Sequence, residues 1–260
     1  MKYSAQIQAI LREAKETFLD NTSHQFTQLD TKGLNQLVTD IDVSIEKFLV
    51  EKFLQLIPGS SIIAEEQTGV QTDAEYQWII DPIDGTTNFI HQVPVYSISV
   101  ALQQNGSTIA GFVYEVNRDE LFWADETGAF MNNQEIHVSK NKLFSDSLIA
   151  TGFPYYEFGK VPEYLKVLEF CMKNTRGVRR LGSAAVDLAY VACGRFDAFF
   201  EVGLSAWDVA GGAYIVKQAG GKVFDFNNSD NYIFGGEIIA GSNSIVETLA
   251  KEISRNFDEK

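Results

Sequence analysis

The 260-residue chain has little of what staples or anchors a protein. Its two cysteines, Cys171 and Cys193, lie outside any CxxC spacing, so neither a disulfide framework nor a zinc ribbon is written into it. They read as reduced thiols packed in a core. No apolar run approaches the ~20 residues that span a bilayer, and Met1-Lys2-Tyr3-Ser4-Ala5-Gln6 holds no apolar signal core. A cytoplasmic protein without a membrane partner is the expectation. Histidine is also scarce. His24, His91 and His137 stand in no nucleophile-like context and read as structural or surface residues. Positive charge is short as well: 21 bases against 35 acids leave a formal charge of −14. Such a surface repels nucleic acid, whose binding needs clustered Lys and Arg. It repels phosphorylated metabolites too, so an acidic protein that handles phosphate needs local neutralisation, which a divalent cation supplies best.

What is present is enough for a core. Apolar residues make up 45% of the chain and aromatics 12%, and a chain of this length buries roughly 70–75% of its unfolded surface. No repeat, low-complexity stretch or long linker marks a boundary. One domain over residues 1–260 is therefore expected, its N-terminal half running to about residue 145. Ile7, Ile10, Leu11, Ala14 and Phe18 predict an amphipathic helix over 7–18. Ile45, Phe48, Leu49, Phe53 and Leu56 predict a second, closed by Pro58-Gly59. Strands are predicted at 77–81, 95–103, 108–115 and 120–124, with Asn105-Gly106 as a hairpin turn. The second half alternates: a helix over 161–174, a strand at 178–181, and a helix from Ala184 to Ala192 capped by Ser183 and ended by Gly194. Then come strand 196–200, helix 207–218, strands 223–224 and 237–240, and helix 243–255. Helices and strands in such alternation predict an α+β (mixed α/β) layered sandwich.

The densest chemical signal is Trp78-Ile79-Ile80-Asp81-Pro82-Ile83-Asp84-Gly85-Thr86-Thr87-Asn88-Phe89. A buried strand delivers Asp81, and Pro82 predicts a turn there. Asp81 and Asp84 then repel one another unless a cation lies between them. Gly85 lets backbone approach a ligand, and the following N–H groups can hold an anion. Upstream, Ile62-Ile63-Ala64-Glu65-Glu66 predicts a strand ending in two acids on opposite faces, one entering a shared site and the other supporting it. Asp208, in Ala206-Trp207-Asp208-Val209-Ala210-Gly211-Gly212, opens a helix and reads alone as its N-cap. Either acid of Leu37-Val38-Thr39-Asp40-Ile41-Asp42 could cap the helix that follows.

In that order and spacing these runs resemble the inositol monophosphatase family, among the metal-dependent, lithium-sensitive sugar phosphatases. Gly182-Ser183-Ala184-Ala185 and Gly194-Arg195-Phe196-Asp197-Ala198-Phe199-Phe200-Glu201 fit the same pattern, and the similarity spans residues 5–255. The resemblance implies a layered αβαβα sandwich, a homodimer and a Mg²⁺-dependent phosphomonoesterase for inositol monophosphate or a similar polyol phosphate. Glu65, Asp81 and the carbonyl of Ile83 would bind a first Mg²⁺. Asp81, Asp84 and Asp208 would bind a second, and a weaker third would sit near Glu65. Thr86 paired with Asp42 would activate water, supported by Glu66. The N–H groups of Gly85 and Thr86 would hold the phosphate, and Ala184 and Glu201 would meet sugar hydroxyls. Oxygen-only ligands suit Mg²⁺. The sequence departs from the family pattern at Gln36 and Gln67; Lys32 matches a loop lysine.

Relatives of this superfamily also cleave fructose 1,6-bisphosphate, 3′-phosphoadenosine phosphate or NADP. Arg176, Arg179, Arg180 and Arg195 could receive a second phosphate, or cap helices and pair with surface acids. A protein-binding regulatory factor with a residual active site is a further reading. Asp40-Ile41-Asp42-Val43-Ser44 also mimics the acid pair of phosphatases that form an aspartyl-phosphate, a motif needing a buried apolar strand that Asn35-Gln36-Leu37-Val38-Thr39 supplies poorly. A Walker loop is excluded because Val223 follows Gly221-Lys222 and Val216 stands where its first glycine belongs.

Overall fold

Successive side chains on a strand point to opposite faces, so a strand covered on both sides is apolar at nearly every position. Several strands here read that way. The computed structural model describes residues 1–20, 29–33, 36–69, 72–154 and 158–257, with backbone alone for 29–33 and 36–38.

In chain order, α1 (Ser4–Ala14) runs into a π-helical turn at Lys15–Leu19, and β1 (Leu29–Gly33) and β2 (Gln36–Thr39) form a separate antiparallel ribbon. Next come α2 (Asp40–Leu56), β3 (Ser61–Ala64), β4 (Tyr76–Asp84), α3 (Thr86–Ile90), β5 (Ser97–Gln104), β6 (Ser107–Glu115), β7 (Glu120–Asp125), β8 (Gly128–Met131) and β9 (Gln134–Glu135). The second half holds β10 (Leu148–Thr151), α4 (Val161–Asn174), β11 (Gly177–Arg179), α5 (Ala184–Ala192), β12 (Ala198–Val202), α6 (Ala206–Gln218), β13 (Lys222–Phe224), β14 (Glu237–Gly241) and α7 (Asn243–Phe257). No described helix is long and apolar enough to cross a membrane.

Strands β3 to β9 form one seven-stranded sheet in sequence order, parallel at β3–β4 and antiparallel elsewhere. The second sheet has the order β11-β10-β12-β14-β13. Five layers result. On one face of the larger sheet, Ile7 and Leu11 of α1 and Ile45, Leu49 and Phe53 of α2 pack on Trp78, Ile98, Val100, Phe112 and Tyr114. Val113 and Phe122, on the opposite face, meet α5 and α6. Those helices also contact the smaller sheet through Phe199 and Ala240. Ile149, Ala198, Phe200 and Ile239 face away from them, toward α4 and α7. Neighbours along one strand, such as Phe199 and Phe200, thus feed different cores. Phe53 stacks on Trp78 at 4.3 Å, and Trp78 Nε1 donates to Ser60 Oγ at 3.0 Å.

The sequence pattern located most elements and misplaced some boundaries. The first helix is α-helical only to Ala14, and the strands predicted at 178–181 and 196–200 lie at 177–179 and 198–202. Strands β1, β8, β9 and β10 were not anticipated. β8 to β10 are two to four residues long, too short for a period-two signal to emerge. Asn105 and Gly106 adopt φ of 50° and 77°, the turn expected of that pair. The segment before Asp40 does form a strand, but β2 pairs with β1 alone and joins neither larger sheet.

Helix α6 approaches the larger sheet at backbone distance. A Cβ on Gly211 would lie 2.8 Å from the Val100 carbonyl oxygen and 3.1 Å from that of Phe112. One on Gly111 would lie 2.3 Å from the Gly211 carbonyl oxygen, and one on Gly212 would lie 2.6 Å from Leu188 of α5. The two glycines of the Trp-Asp-Val-Ala-Gly-Gly run therefore seat α6 between the sheet and α5, with Asp208 one turn earlier. Gly211→Ala should cost about 1–3 kcal/mol through overpacking against fixed carbonyls, lowering Tm by several degrees in a thermal melt. Gly159→Ala, with nothing within 4 Å of the added carbon, should move Tm little.

Candidate active site

Residues 81 and 84 are an odd number apart, so a regular strand would turn them to opposite faces. The β4–β5 register pairs Asp81 with Ser99 and Asp84 with Ser97, leaving one extra residue on β4. This bulge at Pro82-Ile83 brings both acids to the same side. It also corrects the expected turn: β4 continues through Pro82 to Asp84, because a proline without an N–H is tolerated at a bulge. Gly85 follows at φ +100°, where a side chain would be strained, and a Cβ there would lie 3.1 Å from the Gly182 carbonyl oxygen. The first turn of α3 therefore starts at Thr86.

Helix α2 offers one face to this bend. Its N-cap is Thr39 rather than either aspartate. Asp42 is the third helical residue and closes a capping box, accepting from Thr39 N at 2.9 Å and from Thr39 Oγ1. Its other oxygen lies 3.3 Å from Thr86 Oγ1, which also reaches the Ile83 carbonyl at 3.0 Å. One turn on, Glu46 is fully buried and accepts from Glu66 N at 2.7 Å, Thr68 N at 2.8 Å and Thr68 Oγ1 at 2.8 Å. Glu65 and Glu66 thus lie in a turn after β3, not within a strand, and Glu46 holds that turn. The Asp42–Glu46 spacing of four places both on one helix face, but Glu46 escaped the sequence reading because its partners, two backbone amides and the Thr68 hydroxyl, lie some twenty residues away.

Asp208 is likewise not an N-cap. Ser205 holds that position, and Asp208 accepts from Ser205 N at 2.6 Å as the third residue of a capping box. Asp84 is tied to the other half of the chain: its Oδ2 accepts from Ser183 Oγ at 2.5 Å and Ala185 N at 2.7 Å. Ser183 also caps α5 as expected, receiving Val186 N at 3.3 Å. One oxygen from each of Asp81, Asp84 and Asp208 can be chosen so that all three lie within 4.8 Å of one another.

These groups line a cavity of about 580 Å³ together with Glu65, Gln67, Ile83, Gly85, Thr86, Ala184, Glu201 and Ser205. Asp42 and Glu66 are not among its described lining residues. The sequence reading missed Asp187, which also lines it, as does Arg180, one of the four arginines it weighed for a second phosphate. The four arginines part company. Arg176 pairs with Asp146 at 2.7 Å, Arg195 grips Glu120 with two nitrogens, and Arg179 Nη1 meets the Val178 carbonyl. Among them Arg180 alone lines the cavity. His91 and His137 are exposed and away from it; His24 and the side chains of Lys32 and Gln36 lie outside the described residues.

The electrostatics of the site are unbalanced. Burial, then repulsion from Glu65, Asp84, Asp208 and Asp42, drives the Asp81 carboxyl well above its ordinary range. Burial lifts Asp84 to about 6 against hydrogen bonds from Ser183 and α5, and burial with the Asp84 charge lifts Asp208 to about 7. Burial lifts Asp42 to about 6 despite the bonds from Thr39. Asp81 is 1% exposed and its Oδ1 has no hydrogen-bond partner among the described residues. A buried carboxylate oxygen without a donor, among carboxylates with depressed acidity, fits a divalent cation. All the donor atoms are oxygens, as Mg²⁺ prefers.

Comparisons with known proteins agree with this geometry. The model of the inositol monophosphatase family matches residues 2–257. An inositol-1-monophosphatase of Mesorhizobium japonicum is 36% identical over 96% of this chain and 94% of its own length. The Nus factor SuhB of Escherichia coli K12 is 39% identical over 84% of this chain and 82% of its own. Among solved structures, the IMPase of Thermotoga maritima superposes with a TM-score of 0.88 at 33% identity, covering 99% of this chain and 98% of that one. The chain belongs to the inositol monophosphatase family, whose members are metal-dependent, and its relatives support a phosphatase.

The titrating acids give a signed prediction. Asp42, Asp84 and Asp208 hold their protons more tightly folded than unfolded. The ion-free protein should therefore be most favoured below the ordinary carboxylate range and lose stability as pH rises through about 6 to 7. Mg²⁺ binds the ionised form, so the rise in Tm that it causes should grow over the same window. Thermal melts in EDTA and in Mg²⁺ between about pH 5 and pH 8 check this; a Mg²⁺ effect that shrinks with pH would contradict it.

Proposed function

We propose that the protein is a Mg²⁺-dependent phosphomonoesterase acting on inositol monophosphate or a similar small polyol phosphate by direct attack of water. The observation that carries the reading is the convergence of Asp81, Asp84 and Asp208 beside the Gly85-Thr86 turn in one cavity. Glu65, Asp81 and the Ile83 carbonyl are assigned to one ion, Asp81, Asp84 and Asp208 to a second, and the surroundings of Glu65 to a weaker third. Bound ions supply charge neutralisation for the phosphoryl group and lower the pKa of water beside them.

The chain's own groups do the rest. Thr86 Oγ1 gives its proton toward Asp42 Oδ1 and accepts one from the attacking water, which fixes that water's lone pair toward phosphorus. Asp42, lifted to about 6 by burial, is ionised at neutral pH and more basic than an exposed carboxylate, as a general base requires. Glu66, held through its amide by Glu46, supports this arrangement. The N–H groups of Gly85 and Thr86 hold phosphate oxygens as local donors, since the five residues of α3 build little dipole. Ala184 and Glu201 meet the hydroxyls of the alcohol.

A homodimer, lithium sensitivity and a cytoplasmic setting belong to the same reading. NADP, 3′-phosphoadenosine phosphate or fructose 1,6-bisphosphate remain alternative substrates on this fold. The relatives named Nus factor SuhB favour a second reading, a protein-binding factor that retains the site.

A phosphate-release screen with Mg²⁺ over inositol, sugar and nucleotide phosphates tests the proposal. Asp84→Asn should lower kcat on the order of 10³-fold with the fold intact by circular dichroism, and lithium should inhibit at high Mg²⁺. Wild-type turnover in Asp84→Asn, or no phosphate release from any substrate, would overturn it.

A further inference from the structure

Asp187 has no role in the site as assigned above, yet it is built into the cavity. It lies on α5, four residues after the Ser183 cap, and is 1% exposed. Its Oδ1 has no hydrogen-bond partner among the described residues, although Asp187 lines the cavity. Glu201 of β12, itself 6% exposed, lines the same space. A Cβ on Gly152 would fall within 1.9–2.1 Å of the Glu201 carboxylate. The bare α-carbon of Gly152 is therefore what admits Glu201 at this place. Among the described residues Arg180 is the one basic group on the lining, and its charge acts on Asp84, Asp187 and Glu201 together.

A buried carboxylate oxygen left without a donor is costly, so its persistence in a residue that lines the cavity points to a donor that arrives with a ligand. Two carboxyl groups and one guanidinium line this part of the cavity, a set of donors and acceptors suited to hydroxyl groups. Burial and the Glu201 charge also raise the Asp187 carboxyl well above its usual range. A hydroxyl suits either protonation state, because it both donates and accepts.

Resting on the phosphatase reading, we infer that Asp187 is a specificity residue whose Oδ1 binds a hydroxyl of the substrate's alcohol moiety, next to the hydroxyl taken by Glu201. The substrate end opposite the phosphate is then an uncharged polyol, and the hydroxyl contacts of the site number at least one more than Glu201 and Ala184 provide. Asp187 touches no reacting atom, so its loss should weaken binding of one class of substrate and leave the chemical step alone.

The test uses the full chain with Mg²⁺ and two substrates: the polyol phosphate it turns over best, and phenyl phosphate, which has no hydroxyl to offer. Asp187→Leu keeps the branched shape and removes the acceptor. KM for the polyol phosphate should rise about 10-fold with kcat within about 3-fold, and kcat/KM for phenyl phosphate should stay within about 2-fold. Asp187→Asn, which keeps an acceptor, should recover most of the loss. If Asp187→Leu does not fold, Asp187→Ala decides the matter: KM for the polyol phosphate should rise more than KM for phenyl phosphate. Equal losses on both substrates would mark a structural role and overturn the inference while leaving the phosphatase reading standing. So would a wild-type preference for a bisphosphate or dinucleotide over every polyol monophosphate. Failure of the wild type to cleave either substrate would overturn both.

Discussion

Carboxylates buried side by side repel one another, and the rest of this molecule is arranged around that repulsion. Asp81, Asp84 and Asp208 share a site in which burial alone already opposes their charges, and Glu65, Asp187 and Glu201 line the same cavity. Hydrogen bonds relieve part of the strain: Asp84 receives two donors from the start of α5, and Asp208 receives the Ser205 amide. Asp81, at the centre, has one oxygen with no donor among the described residues. Among the described residues the lining sets one guanidinium, Arg180, against six carboxyls, an imbalance that a bound cation would relieve.

The fold supplies the convergence through backbone devices more than through packing. A single extra residue in β4 turns Asp81 and Asp84 to one side. Gly211 and Gly212 let α6 sink between the sheet and α5 until Asp208 reaches them. Two capping boxes, at Thr39–Asp42 and Ser205–Asp208, use acids at the candidate site to start helices, so helix initiation and site construction are the same event. Glu46 extends the scheme to the Glu65-Glu66 turn, and the α2 face thereby fixes the distance between that turn and Thr86.

Much of this was legible in the sequence, for identifiable reasons. Amphipathic stripes located the helices, and the Asn105-Gly106 pair located the hairpin. The acids stood out because Asp-Pro-Ile-Asp-Gly-Thr-Thr combines a strand, a breaker and two carboxylates in seven residues. Less legible was whatever depends on partners distant in sequence. Asp40, Asp42 and Asp208 looked like N-caps because an acid before a helix usually is one; the cap itself was the adjacent Thr39 or Ser205. Pro82 suggested a turn because a bulge needs the neighbouring strand's register to be seen. Asp187 sits inside the run Ala184-Ala185-Val186-Asp187-Leu188, where one acid among apolar residues gives no hint of a cavity. Arg180 was one of four arginines that sequence alone does not rank, and only the tertiary structure separates it from the three held at the surface.

The central claim is that the site holds a divalent cation between carboxylates from the two halves of the chain. Anomalous diffraction from a crystal soaked in Mn²⁺, a heavier stand-in for Mg²⁺ with the same preference for oxygen, tests it most directly. The account predicts a peak in contact with Asp81, Asp84 and Asp208 that disappears in Asp81→Asn. An ordered cavity with no peak among those three side chains, under conditions where Mn²⁺ occupies other sites, would contradict it.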